Sequence, residues 1–205
     1  NHWLTVGEGK GINGWSRAAA SSLYASMGDG EMALANLYKH LNDNRFVMPN
    51  AMYIEGSPVI ECAFVAARSL QDMILQSWGH SITPEDSKNR ILNPESTGCY
   101  TSTICIFPAV PAEWKDLVFH DLRTEGAFLV SAVRKAGITR WIRIKSLAGE
   151  PCRIKPGMTG TVTASVEGKP VKMKELGNGV YELSLDKGQE AVLRSGYGKP
   201  YIIRP

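Results

Sequence analysis

Apolar and polar positions along the 205-residue chain follow two different periods. Over residues 14–78 the spacing is helical. Gly14-Trp15-Ser16 leads an alanine-rich stretch from Arg17 to Met27, which Gly28-Asp29-Gly30 interrupts. Glu31 to Leu41 then places Leu34, Leu37 and Leu41 three and four residues apart, the stripe of an amphipathic helix. A link as short as Gly-Asp-Gly predicts that the two helices lie antiparallel. After a loop at Asn42-Asp43-Asn44, Ser57-Pro58 reads as a helix start. The hydroxyl can cap a free N–H, and proline at the first helical position loses nothing. The helix is expected from Val59 to about Trp78, burying Ala63, Ala66, Ala67, Leu70, Met73, Ile74 and Leu75. Gly79 closes it.

Beyond Gly98 the period shortens. Ile104–Phe107, Leu117–Phe119 and Ala127–Val130 have strand character, and in Ile138–Lys145 the apolar Ile142 and Ile144 alternate with Arg143 and Lys145. Ala136-Gly137, Glu167-Gly168 and Asn178-Gly179 mark turns. Asn178-Gly179, between Lys172–Leu176 and Val180–Leu185, is a strong two-residue hairpin signal. Roughly eight or nine short strands over about a hundred residues predict an antiparallel β-sandwich. The polar stretch Ser81–Gly98 is the expected connector, which divides the chain into helices at 1–80, a connector at 81–98 and a sandwich at 99–205. Three helices cannot enclose their own apolar faces, so the first part is expected to be the end of a larger helical assembly. The opening Asn1-His2-Trp3-Leu4, without an initiator methionine, reads as a cut from a longer protein or as a terminus left by signal removal.

Composition narrows the function classes. At 43% hydrophobic and 21% charged residues the chain is neither disordered nor fibrous. Its 23 Lys+Arg and 20 Asp+Glu give a net charge of +3, and the basic residues are scattered, so a nucleic-acid partner is not expected. No apolar run approaches the ~20 residues needed to span a bilayer. Cys62, Cys99, Cys105 and Cys152 show neither CxxC spacing nor a histidine at zinc-finger distance, so no metal site is expected. Cys62 reads as a small buried hydrophobe, while Cys99 and Cys105 could be free or bridged across a turn. No phosphate-binding loop, dinucleotide fingerprint or nucleophile elbow is present.

Two carboxylates remain as candidates. Glu55 sits in a loop just before the expected helix, where the dipole favours the ionised form and suits a base or an electrostatic stabiliser. It could equally do no more than complement the helix terminus. Glu61 lies in the first helical turn, where an acidic residue is ordinary. Trp15, beside Asn13-Gly14 at the head of the first helix, is the tryptophan best placed to stack on a sugar, although most tryptophans at element boundaries are packing anchors. His120-Asp121 reads as a strand-end hydrogen-bonded pair rather than a catalytic dyad.

Three segments resemble the C-terminal part of glycoside hydrolase family 95, the α-L-fucosidase and α-L-galactosidase family. Gly14-Trp-Ser16 with Met27-Gly-Asp-Gly-Glu31 looks like that family's helix pair and its Gly-Asp-Gly-Glu turn. Tyr53-Ile-Glu-Gly56 with Leu70–Ser77 resembles its Ile-Asp-Gly loop and the helix that follows. Ile106-Phe-Pro-Ala-Val-Pro-Ala-Glu-Trp114 with Leu122–Phe128 is similar to its Leu-Pro-Ala-Leu-Pro…Trp segment and next strand. The likeness covers roughly residues 14–165.

The resemblance implies the closing helices of an (α/α)6 barrel followed by a β-sandwich, and an inverting hydrolase that removes a terminal α-linked L-sugar without a cofactor. The substrate is then an oligosaccharide or glycan, and the protein periplasmic or secreted. Glu55 takes the place of the family aspartate that helps polarise water together with two asparagines. The general acid and those asparagines belong to the upstream part of the barrel, so this chain alone is expected to be inactive. Trp15 and Tyr53 would line the sugar pocket. Glutamate is one methylene longer than aspartate, and Ser57-Pro-Val-Ile60 stands where the family has Asn-Phe-Gly-Gly. Those departures suit the alternative of a degenerate module that binds glycans without cleaving them; an (α/α)6 glycosidase for another sugar is a further alternative.

Overall fold

The computed structural model describes residues 14–42, 47–50, 52–55, 57–77 and 103–196. They form two compact units, divided between Leu75 and Gln76, with Phe107–Trp114 belonging to the first. The expected connector 81–98 lies outside the described residues.

The first unit holds helices α1 (Gly14–Ser26), α2 (Gly30–Leu41) and α3 (Glu61–Ile74), and a hairpin of β1 (Tyr53–Glu55) and β2 (Ser57–Val59). Alanine and serine on α1 explain how closely it is packed. Ala18, Ala20, Ser21 and Ala25 are buried, and the Ser21 hydroxyl donates to the Ala33 carbonyl on α2 at 2.7 Å. The turn between α1 and α2 uses each residue of Gly28-Asp29-Gly30-Glu31 for a separate task. Gly28, at φ +79°, ends α1 in a Schellman motif, with Asp29 N–H donating to Tyr24 O and Gly28 N–H to Ala25 O. Asp29 caps α2, its carboxylate accepting from Met32 N–H at 3.0 Å. Gly30 lies against the Ala109 carbonyl; a methyl there would sit 2.7 Å from the carbonyl carbon and closer still to the oxygen. Glu31 accepts a 2.7 Å hydrogen bond from Ala112 N–H.

Phe107–Trp114 is thus a strap laid over the helices. Phe107 N–H donates to Ile74 O and Ala109 N–H to Met73 O, and Ala109 joins Ala18, Tyr24, Ala25, Ala33, Leu37, Ala66 and Met73 in the helical core. By sequence order these residues fall within 99–205, yet their burial is against the helices.

The third helix corrects two expectations. Ser57-Pro58 does not start it, because these residues form β2, with Pro58 opposite Ile54, and α3 begins after Ile60 without a side-chain cap. Proline lacks the N–H that an interior strand would need, but a two-stranded hairpin tolerates it. The buried face is also rotated from the expected one: it runs Cys62, Ala66, Ser69, Asp72 and Met73, while Ala67 and Leu70 are exposed. Polar residues enter it because they are satisfied there. Asp72 accepts from Ser22 Oγ at 2.6 Å and Arg68 Nε at 2.7 Å, and Ser69 Oγ donates to Ala66 O.

The second unit is β-rich. After β3 (Leu75–Gln76) come β4 (Thr103–Ile106), β5 (Leu117–Thr124), β6 (Phe128–Lys135), β7 (Ile138–Ser146), β8 (Pro151–Lys155), β9 (Val162–Val166), β10 (Lys169–Val171), β11 (Lys174–Gly177), β12 (Val180–Ser184) and β13 (Glu190–Ser195). One sheet runs β10-β9-β13-β7-β6-β5 and the other β11-β12-β8-β4-β3. Across the first, Phe119, Ala132, Ile142, Leu193 and Ala164 stand in register as a buried row. The row on one flank is Ser131, Arg143, Val192 and Ser165, so a one-residue slip in that direction would bring a charge and two hydroxyls into the core. In the second sheet Ile104, Ile154, Cys152 and Leu183 are buried. The pairs β5–β6, β6–β7, β7–β13, β13–β9, β9–β10, β11–β12 and β12–β8 are antiparallel, whereas β4 and β8 are parallel. The expectation of a purely antiparallel domain is corrected there: the chain passes through three strands of the other sheet between β4 and β8, a crossover long enough for parallel pairing.

The three turns expected from sequence all close hairpins. Ala136-Gly137, Glu167-Gly168 and Asn178-Gly179 have positive φ at both positions, the conformation whose twist matches paired strands. Cys62, Cys105 and Cys152 are in no disulfide, so no bridge holds Cys105.

Candidate active site at the hairpin before the third helix

Glu55 is the last residue of β1. Its Cα pairs with that of Ser57 at the tip of the hairpin, next to Ile54 opposite Pro58 and Tyr53 opposite Val59. The Glu55 side chain lies outside the described structure. β2 separates Glu55 from the helix, so the acidic residue in the first turn of α3 is Glu61, which is exposed. Proximity to the helix dipole, expected from sequence, is therefore a property of Glu61 and not of Glu55.

Tyr53 stands two residues before Glu55 in the same strand and is 1% exposed. Its ring lies on that of His40, with centroids 5.9 Å apart and planes inclined by 35°. On its other side the strand is held by an antiparallel bridge from Tyr53 to Val47 and by Met48 N–H donating to Met52 O. Trp15 stands on a different element, in the first turn of α1, and is 45% exposed. Of the sequence-predicted residues, Tyr53 and Glu55 are thus brought together by one strand.

His40 is the residue that sequence reasoning passed over. It is 3% exposed, in the last turn of α2. A signal was available, since His40 follows Ala33 and Leu37 at helical spacing and so continues the buried stripe.

A second constellation lies in the β-rich unit. His120 and Asp121 are not at a strand end but inside β5, at the irregularity between Phe119 and Leu122, where Asp121 adopts φ +49°. Asp121 accepts from Arg143 Nη2 at 2.6 Å and Ser131 Oγ at 3.1 Å, while its own N–H donates to Ser131 Oγ. Desolvation pushes the Asp121 carboxyl up, but the hydrogen bonds from Arg143 and Ser131 outweigh it and hold the group below the usual carboxylate range. Across the other sheet Glu182 is held low first by its 2.8 Å hydrogen bond from Arg153. Cys152 lies in an apolar setting, and burial pushes its thiol up to about 12. These groups are neutralised or bonded within the sheets, which marks them as structural. Among the described residues no group of three or more His, Cys, Asp or Glu is arranged to hold a metal.

With the fold and hairpin described, comparison with known proteins adds a class. Residues 99–193, the β-rich part, match a domain of the glycoside hydrolases. The matching family model is glycoside hydrolase family 95, C-terminal domain. No curated protein matches the chain. Among solved structures, the chain is similar to a β-L-arabinofuranosidase of glycoside hydrolase family 127 from Geobacillus stearothermophilus T6. That likeness has 10% identity and a TM-score of 0.25, over 87% of this chain and 41% of the other. The chain therefore spans well under half of that enzyme, and at this score the likeness carries no argument.

Proposed function

We propose that this chain is the C-terminal part of an inverting glycoside hydrolase that removes terminal α-linked L-fucose or L-galactose from glycans. The observation that carries the reading is the match of residues 99–193 to the family 95 C-terminal domain. The helices support a larger assembly: Leu23, Met27 and Phe64 are 60%, 78% and 66% exposed, apolar side chains that further barrel helices would cover. In that assembly α1–α3 close an (α/α)6 barrel and the two sheets form a β-sandwich, giving a helical domain at 1–80 and a β domain at 99–205. Glu55 orients water on one face of the sugar, and a carboxylic acid from the upstream helices protonates the glycosidic oxygen on the other. Inversion needs roughly 6.5–9.5 Å between the two carboxyl groups to admit that water. Trp15, exposed, lines the pocket, and Tyr53 supports it from beneath. The chain alone is inactive; the whole protein requires no cofactor and acts after export to the periplasm or outside.

The glutamate in place of the family aspartate favours a second reading, a module that binds glycans without cleaving them. Assaying the protein with its upstream helices on aryl α-L-fucoside and α-L-galactoside, alongside glycan binding, separates the two. Turnover with inversion supports the hydrolase; binding without turnover supports the module and overturns it.

A further inference from the structure

We infer that His40 is a positioning residue, which sets the hairpin carrying Glu55 by packing its imidazole against Tyr53. The inference rests on the proposed role of Glu55 but concerns a residue outside that role. A three-residue strand paired with another three-residue strand is marginal by itself, so something must hold it. The Val47 bridge and the Met48–Met52 hydrogen bond tie one edge of the hairpin to the loop before it. The His40–Tyr53 ring contact ties it to α2.

That helix is a firm anchor. α2 is capped by Asp29, buries Ala33, Leu34, Asn36 and Leu37, and is held through Glu31 to the strap at Ala112. His40 follows on the same buried stripe, one turn after Leu37, so its ring has little freedom. Tyr53 is equally enclosed, and from its Cα the chain needs only two more residues to reach Glu55. A shift of the Tyr53 ring therefore moves the Glu55 backbone. Since a misplacement of about 1 Å can cost ~100-fold in rate, a packing contact here controls turnover without touching substrate.

The test uses the protein with its upstream helices, in wild-type, His40→Ala, His40→Phe and Glu55→Gln forms. Hydrogen exchange at the Tyr53, Ile54 and Val59 amides is followed with kcat and KM on the aryl glycosides. His40→Ala is expected to raise exchange at these amides and lower kcat about 10-fold or more, with KM within about twofold. His40→Phe, which keeps a ring, restores most of both. Wild-type exchange in His40→Ala overturns the inference, and when Glu55→Gln is inactive it leaves the Glu55 reading standing. Equal loss of kcat in both His40 variants with exchange unchanged also overturns it, because the imidazole would then act by its chemistry. Raised exchange together with full activity of Glu55→Gln removes Glu55 from the mechanism while the clamp itself holds.

Discussion

The two units solve burial in opposite ways. In the β-rich unit the row Phe119, Ala132, Ile142, Leu193, Ala164 is buried, and charged partners such as Asp121 and Arg143 are bonded to one another. In the helical unit Ala18, Ala25, Ala33 and Ala66 share the core with Tyr24, Leu37 and Met73, while other large apolar side chains, Leu23, Met27 and Phe64, face outward. The contrast teaches that one unit buries a continuous apolar row whereas the other leaves several large apolar side chains exposed.

The largest effect should come from emptying the closed core. Ile142→Ala is expected to destabilise the β-rich unit by about 3 kcal/mol, read from denaturant unfolding of the full chain. Next comes the elbow of the helical unit. Gly30→Ala is expected to cost about 2–3 kcal/mol, because the methyl meets backbone of the strap that cannot yield. Gly28→Ala should cost about 1–2 kcal/mol, for its φ of +79° alone, since its nearest neighbour would be at ordinary contact distance. Equal costs at the two glycines would contradict the close approach of the strap.

A pH series sharpens the electrostatic side. The Asp121 carboxyl is held low in the folded state, so its contribution is full above the ordinary carboxylate value. It is lost as pH falls through the lowered one. The stability gap between wild type and Arg143→Met should therefore be widest near neutrality and close in acid. A gap independent of pH would detach Asp121 from the effect.

The smallest effect is expected outside. Leu23→Ser and Phe64→Ser should change the stability of this chain by less than about 0.5 kcal/mol. With the upstream helices present, each should cost about 2 kcal/mol. A small effect in both settings would break the comparison between a closed unit and an open one.

Much of this was legible before the structure. Turn residues announced themselves chemically: Asn178-Gly179 needs positive φ twice, and few sequences supply it. Ile142 and Ile144 against Arg143 and Lys145 gave the face of β7. The face of α3 was misjudged because periodicity counts apolar residues, whereas Ser69 and Asp72 are buried through hydrogen bonds to Ala66, Ser22 and Arg68. The local chemistry of Ser57-Pro58 permits both a cap and a strand, and pairing with Ile54 decides for the strand. The task of Gly30 was hidden too, since its partner lies 79 residues on, at Ala109. For the candidate site, Tyr53 and Glu55 lie two residues apart in the sequence, whereas the contact of His40 with Tyr53 spans 13 residues and has no local signature.

The most direct test of the central claim is turnover of aryl α-L-fucoside and α-L-galactoside by the protein with its upstream helices, comparing wild type with Glu55→Gln. Removing a positioned base typically costs 10²–10⁴-fold, so a loss of about that size in kcat with little change in KM is predicted. Full activity of Glu55→Gln would contradict the account.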